Sequence, residues 1–298
     1  MNLFMDVRMN PVGGELSTCV ALNQGTSIAD YTGILCRDFL AAIQGRDVLI
    51  ATHGFNVNRP DGIDHLHAWQ EILQLPPNSA FVGILWPGDS IWAHGLDYPG
   101  EPRVADQAGQ LLAPFIDQYF AGANNISFAS HSLGARVVLE TVARMNTPVR
   151  RVILMAGAID DNCLNTEFQN TAGKIGTISV LASRKDHVLS ALFPLGNLIG
   201  GIIAEGHPWW HAAIGHAGPQ KQWPSNFVSP FMIPDGWCFD HGSYLHLDPP
   251  PPAPPLSIPT NVPPQGSPVP APDLDPDGNP IPGWRQAFSA AFVSSRFR

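Results

Sequence analysis

Apolar and polar residues alternate over residues 3–10 and again over 16–22, with Pro11-Val12-Gly13-Gly14 between the two runs. Period-two alternation around a Pro/Gly turn predicts an N-terminal β-hairpin. The period then changes. Leu35, Phe39 and Ile43 recur every four residues with Tyr31 one turn earlier, which predicts a helix over 28–44. Beyond it, short apolar runs alternate with helical stretches. Strands are predicted at 47–52, 80–86, 126–130, 151–156 and 175–182, and helices at 63–75, 103–120 and 133–145, the second carrying Pro114. Repetition of strand and helix at this interval predicts an α/β fold with a doubly wound, mostly parallel sheet.

Past residue 186 the pattern degrades. Residues 187–240 are rich in Trp, Phe, Pro, Gly and His and read as an irregular, cap-like insertion over the sheet edge. Residues 188–204 carry no charge, but Pro194, Gly196, Gly200 and Gly201 make them a pocket wall rather than a stable membrane span. Fifteen of the 30 prolines then fall between Pro249 and Pro282. That stretch cannot build a core and favours extended polyproline II. The expected organisation is one domain over 1–248 and a Pro-rich tail over 249–298. The tail's aromatic end is expected to dock through Trp284, Phe288 and Phe292 while adding little to the core, so truncation after Asp248 should leave a folded domain.

Composition mainly excludes. With 298 residues, 44% hydrophobic and only 14% charged, the chain is suited to one large buried core rather than to disorder. A net charge of −9 with scattered Lys and Arg argues against nucleic acid as a partner. No cationic stretch followed by an apolar segment opens the chain, so no secretory signal is evident and a cytoplasmic location is expected. Cys19, Cys36, Cys163 and Cys238 lack metal-type spacing and are expected to be buried free thiols, a disulfide being the alternative. Oligomeric state is not legible.

Candidate chemistry clusters at the ends of the predicted strands. Ser130-His131-Ser132-Leu133-Gly134 follows an apolar strand and opens a helix. A nucleophile elbow needs that context and small residues at its flanks, which makes Ser132 the candidate nucleophile. The alternative is an ordinary Ser at a helix N-cap. Thr52-His53-Gly54-Phe55 closes an earlier strand. A tetrahedral intermediate needs two fixed N–H donors, and the backbone N–H groups of Phe55 and Leu133 are the candidates. His53 is expected chiefly to brace that loop. Asp186 follows a late strand, where the acid of a triad belongs, with Asp160 and Asp161 as rivals. Among 11 histidines, His241 lies late enough and outside the cap to be the base, whereas His207, His211 and His216 fall within it. His53, Trp86, His131, Trp209 and Trp210 are candidates for lining the substrate pocket.

Two patterns suggest metals but fall short. Asp273, Asp275, Asp277 and Gly278 have calcium-loop spacing, yet Trp284 stands where the closing Glu should be. His207 and His211 are four apart, but Pro208 opposes the helix a zinc site needs there. Neither a metal nor a cofactor is expected.

Taken together, THGFNVN, Trp86-Pro87-Gly88-Asp89-Ser90, ASHSLGARV, Ala156-Gly157-Ala158-Ile159-Asp160 and the late HGSY resemble a bacterial branch of esterase/lipase-type α/β-hydrolases over residues 1–247. The resemblance implies the α/β-hydrolase fold and ester hydrolysis through an acyl-enzyme, on a small-molecule ester or lactone. The aromatic, weakly charged stretch 193–223 suggests an apolar or aromatic acyl group. Lactonase (acyl-lactones included), amidase or polyester hydrolase activity on the same triad is the alternative. A non-catalytic binding module on this fold is a further one.

Overall fold

Val48, Leu49, Ile50 and Ala51 are all excluded from solvent. Successive side chains point to opposite faces of a strand, so all four can be buried only where both faces are covered. The computed structural model describes residues 2–13, 15–89, 101–191, 211–220, 224–244 and 283–298. Among them the strands are β1 (Asn2–Arg8), β2 (Leu16–Gly25), β3 (Thr32–Gly33), β4 (Asp47–Thr52), β5 (Ser79–Leu85), β6 (Asn125–His131), β7 (Val149–Met155), β8 (Ile175–Ser183) and β9 (Phe227–Ile233). They form one sheet of order β3-β2-β1-β5-β4-β6-β7-β8-β9, with helices α1 (Cys36–Ile43), α2 (Arg59–Ile72), α3 (Glu101–Tyr119) and α4 (Gly134–Arg144) between strands. No helix among the described residues is long and apolar enough to cross a membrane.

β1 and β2 pair antiparallel as a hairpin, and β1 also pairs parallel with β5. The hairpin is therefore a continuation of the main sheet. Every pairing from β1 through β5, β4, β6, β7 and β8 to β9 is parallel. From β4 the chain steps one way to β5 and then crosses to β6 on the other side. Loops at the carboxyl ends of β4 and β6 thus face the crevice that such a reversal leaves open.

Several elements differ from expectation. The helix predicted over 28–44 begins only at Cys36. The Asp30 carboxylate accepts the N–H groups and hydroxyls of Thr26 and Ser27, a turn that competes with helix. Tyr31 points instead to Asp6, its hydroxyl donating at 2.9 Å. α2 starts earlier than residue 63, because the Asn58 side chain accepts the Asp61 N–H and Pro60 fits the first turn. β9 lies inside the segment expected to be cap-like. Pro230 disguises it, and a proline is tolerated there because β9 is an edge strand. Residues 192–210 and 221–223 of that segment lie outside the described residues, as does the calcium-like spacing at 273–278. All four cysteines are free, but only Cys163 is buried, contrary to expectation for the other three.

The core does not end at residue 248. A C-terminal helix (Trp284–Phe297) buries Phe288, Phe292, Val293 and Phe297. The Phe288 ring meets those of Phe231, Trp237 and Phe239 at centroid distances of 5.5, 4.8 and 5.9 Å. The helix lies beside α2, where the Gln74 N–H donates to Ser294 Oγ at 3.0 Å. Its last carbonyls are capped from β7: Arg151 donates to the carbonyl of Arg296, and Arg150 to that of Arg298. Cations there complement the negative end of the helix dipole. Trp284, Phe288 and Phe292 all face inward, in the same core as the strands. The helix is not the minor addition expected of a tail.

Phe292→Ala is expected to destabilise the protein by about 3–5 kcal/mol, read as a fall in the urea midpoint, while Leu35→Ala at an exposed position should stay within about 0.5 kcal/mol. Truncation after Asp248 uncovers Phe231, Trp237 and Phe239 and is expected to yield unfolded or insoluble protein, reversing the expectation from sequence.

Candidate active site

β6 ends at His131 and α4 opens at Gly134, so Ser132 and Leu133 make the whole turn. The turn forces Ser132 to φ 54°, a left-handed conformation that costs a side-chain-bearing residue energy. The surroundings hold it there. The Ser132 N–H donates to the Met155 carbonyl at 3.0 Å, and its own carbonyl accepts the N–H groups of Ala135 and Ala158 at 3.1 and 3.0 Å. Strain over-determined in this way concentrates at functional residues. A Cβ on Gly134 would stand 2.4 Å from the His53 carbonyl oxygen, and one on Gly54 2.6 Å from Ser132 Cβ. The β4 loop and the elbow therefore meet through two positions that admit only glycine.

Asp186, fully buried after β8, accepts the Leu189 N–H at 2.9 Å on one carboxylate oxygen. The other accepts His241 Nδ1–H at 2.8 Å. That bond fixes the imidazole tautomer and leaves the Nε2 lone pair toward Ser132. The Ser132 hydroxyl lies 2.8 Å from it. Leu133 and Phe55 each stand three positions beyond Ser130 and Thr52, which are paired across β6 and β4. Among the described residues no acceptor engages the Leu133 N–H.

The turn carrying His241 is held from three sides. Asp240 caps it, accepting the N–H groups of His241 at 2.8 Å and His187 at 3.2 Å, while the Asp240 N–H donates to Ser243 Oγ at 3.0 Å. The Ser183 hydroxyl donates to the Phe239 carbonyl at 2.7 Å. His131 Nε2–H donates to the His241 carbonyl at 2.9 Å. Sequence reasoning missed Asp240 and Ser183. The Asp240-to-Ser243 spacing is a legible capping signal; nothing in the sequence pairs Ser183 with residue 239.

Of the residues expected to line a pocket, His131, His53 and Trp86 make hydrogen bonds within the protein. His131 is engaged in the tie to His241. His53 is buried, its Nδ1–H donating to the Gly54 carbonyl at 2.9 Å and its Nε2 accepting the Trp86 N–H at 3.3 Å. The Trp86 indole N–H returns to the His53 carbonyl at 3.0 Å, and the two rings stack 5.8 Å apart. Both brace the β4 loop from within, and both side chains are buried among the described residues. Trp209, Trp210 and His207 lie outside the described residues. Of the rival acids, Asp161 accepts from His211 Nδ1–H at 3.2 Å and from Gln220 at 3.0 Å. Asp160 sits in a backbone bridge to Ala213. His216 belongs to the single helical turn Ile214–Ala217.

Burial lowers the pKa of His53 to about 3, outweighing its hydrogen bond to Gly54. An unfolded His titrates near 6.5, so between about pH 6.5 and 3 the unfolded chain binds one proton more. Its contribution to stability is complete above that window and is lost as pH falls through it, with a slope approaching about 1.4 kcal/mol per pH unit. His53→Gln is expected to remove this component. Urea midpoints of both proteins from pH 7 to pH 4 should converge as pH falls; parallel curves would contradict the assignment.

A model of α/β hydrolases of unknown function (DUF900) matches residues 34–205. Among solved structures, the chain is similar to esterase PE8 at 18% identity, covering 52% of this chain and 80% of that one with a TM-score of 0.34. It is similar to the type II thioesterase of the yersiniabactin biosynthetic pathway at 15% identity, covering 66% and 86% with a TM-score of 0.37. Esterase B from Lactobacillus rhamnosis is 10% identical over 65% of this chain and 67% of that one, with a TM-score of 0.34. A search of curated proteins finds no sequence match. The family match spans more than half of the chain and agrees with the parallel sheet described above: this protein belongs to the α/β hydrolases of the DUF900 family.

Proposed function

We propose that this hydrolase cleaves carboxylic esters through an acyl-enzyme, with Ser132 as nucleophile, His241 as general base and acid, and Asp186 as the orienting carboxylate. The observation that supports it is the continuous hydrogen-bonded chain from Ser132 Oγ through both His241 nitrogens to Asp186, each link 2.8 Å long. Nucleophilic catalysis by serine requires a base within that reach and a third group to orient the base.

The chemistry follows from the placement. His241 Nε2 takes the Ser132 hydroxyl proton as Oγ bonds to the ester carbonyl carbon. The carbonyl oxygen becomes an oxyanion, and the backbone N–H groups of Phe55 and Leu133 stabilise it. Collapse breaks the bond to the alkoxide, which leaves with the proton from Nε2. Water then attacks the acyl-enzyme, giving its proton to Nε2, and the second collapse returns that proton to Ser132 and frees the acid. Asp186 stays ionised and offsets the charge on the transient imidazolium. The substrate is a small ester or lactone; the preference for an apolar or aromatic acyl group rests on the composition of residues 193–223.

A fluorophosphonate probe is expected to label Ser132, and Ser132→Ala to lose both labelling and at least about 10⁴-fold in turnover of p-nitrophenyl butyrate. His241→Ala should match that loss and His211→Ala should not; wild-type turnover in folded His241→Ala would remove it from the mechanism. Asp186→Asn is expected to lose on the order of 10⁴-fold, far more than Asp161→Asn. A larger loss at Asp161 would transfer the acid's role to the loop after β7.

A further inference from the structure

Four charged residues gather at the carboxyl end of β1 and take no part in the proposed chemistry. The Arg8 side chain is fully excluded from solvent and pairs with Asp89. Its Nη1 donates to the carbonyls of Val57 at 3.0 Å and Trp86 at 2.8 Å, and its Nη2 to Gly13 at 3.3 Å. The second Asp89 oxygen accepts the Gly13 N–H at 2.9 Å. Behind this pair, Asp6 accepts the Arg8 N–H at 2.9 Å and faces Arg59 Nε at 2.7 Å. Arg59 Nη2 donates to the Arg8 carbonyl at 3.1 Å.

A buried guanidinium is costly unless its donors are used, and these donors reach the loops that follow β4 and β5. The β4 loop needs holding. Asn56, next to Phe55, has φ 58°, a left-handed conformation that few residues other than glycine and asparagine adopt. Its N–H donates to the Gly88 carbonyl at 2.6 Å, and one residue later Arg8 holds the Val57 carbonyl. Trp86 and Asp89, both bound by Arg8, bracket Gly88 in sequence. Arg8 thus reaches both loops that fix the peptide after Phe55, and it lies outside the residues 34–205 matched by the family.

We propose that Arg8 and Asp89 are positioning residues that aim the Phe55 N–H at the oxyanion. The inference rests on reading Phe55 as an oxyanion donor. A donor stabilises developing charge best when its direction is set before reaction, and a shift of about 1 Å can cost about 100-fold in rate.

The test uses the full chain and the variants Arg8→Met and Asp89→Asn, the second retaining shape should the first fail to fold. Arg151→Met, at the opposite end of the sheet, controls for loss of stability alone. Two readouts are taken: amide hydrogen exchange of residues 54–58 by mass spectrometry, and kcat and KM for p-nitrophenyl butyrate per fluorophosphonate-titrated site. Either loop variant is expected to speed exchange at 54–58 and lower kcat about 10- to 100-fold, with KM within about threefold. Arg151→Met should do neither. Wild-type kcat in a folded loop variant, a loss confined to KM, or unchanged exchange at 54–58 would overturn the proposal. If the wild-type protein hydrolyses no ester, the functional reading falls, and unchanged exchange would still overturn the structural claim by itself.

Discussion

The carboxyl end of the sheet depends on how closely the loop after β4 can approach the turn after β6. The two strands are neighbours in register, so their backbones run about 4.8 Å apart. Their exits cannot diverge until each chain has turned. With hydrogen at Gly54 and Gly134, the His53 carbonyl and the Ser132 side chain can sit against one another. Any Cβ at either position would push the loops apart. That would carry the Phe55 and Leu133 amides away from a common point. The left-handed backbone at Ser132 follows from the same crowding, since the chain must leave β6 and enter α4 within two residues.

Asp186 and His241 are held in different ways. Asp186 is inside the protein, fixed by the Leu189 amide at the start of a helical turn. His241 stands on a short turn of no intrinsic stability, so its position is imposed by neighbours. Those ties come from its own capping residue Asp240, from the end of β8 through Ser183, and from the elbow through His131. The last of these couples the turn of Ser132 to the turn of His241. A change that tilts the turn after β6 would therefore move Ser132 and His241 together.

Much of this was legible in the sequence because the relevant signals are local. Strand–turn–helix around Ser132 and the glycine after His53 are short-range patterns, and their backbone consequences are nearly forced. The order of Ser132, Asp186 and His241 placed the other candidates, and the structure brings all three together. What escaped is non-local. β9 was hidden by Pro230, whose acceptability depends on lying at an edge. Tyr31 fell on a helical period by coincidence, and the Asp30 turn decided otherwise. His53, Trp86 and His131 have the composition of pocket residues, and their bonds to the backbone of Gly54, Trp86, His53 and His241 link positions that no spacing rule connects. Arg8 carried no signal at all, because its partners lie at residues 57, 86 and 89.

The C-terminal helix has a consequence for biosynthesis. Phe239, two residues before His241, is backed by Phe288, so that contact can form only after residue 288 has been synthesised. The entropic cost of joining two parts of a chain grows only slowly with their separation in sequence, so the contact is favourable once the helix has left the ribosome. Until then Phe231, Trp237 and Phe239 form an uncovered aromatic surface of the sort chaperones hold. An interrupted translation product would carry Ser132 and Asp186 on a finished sheet, yet lack the support that seats the turn bearing His241. The arrangement of Ser132, His241 and Asp186 would thus be completed only in chains synthesised through Phe297.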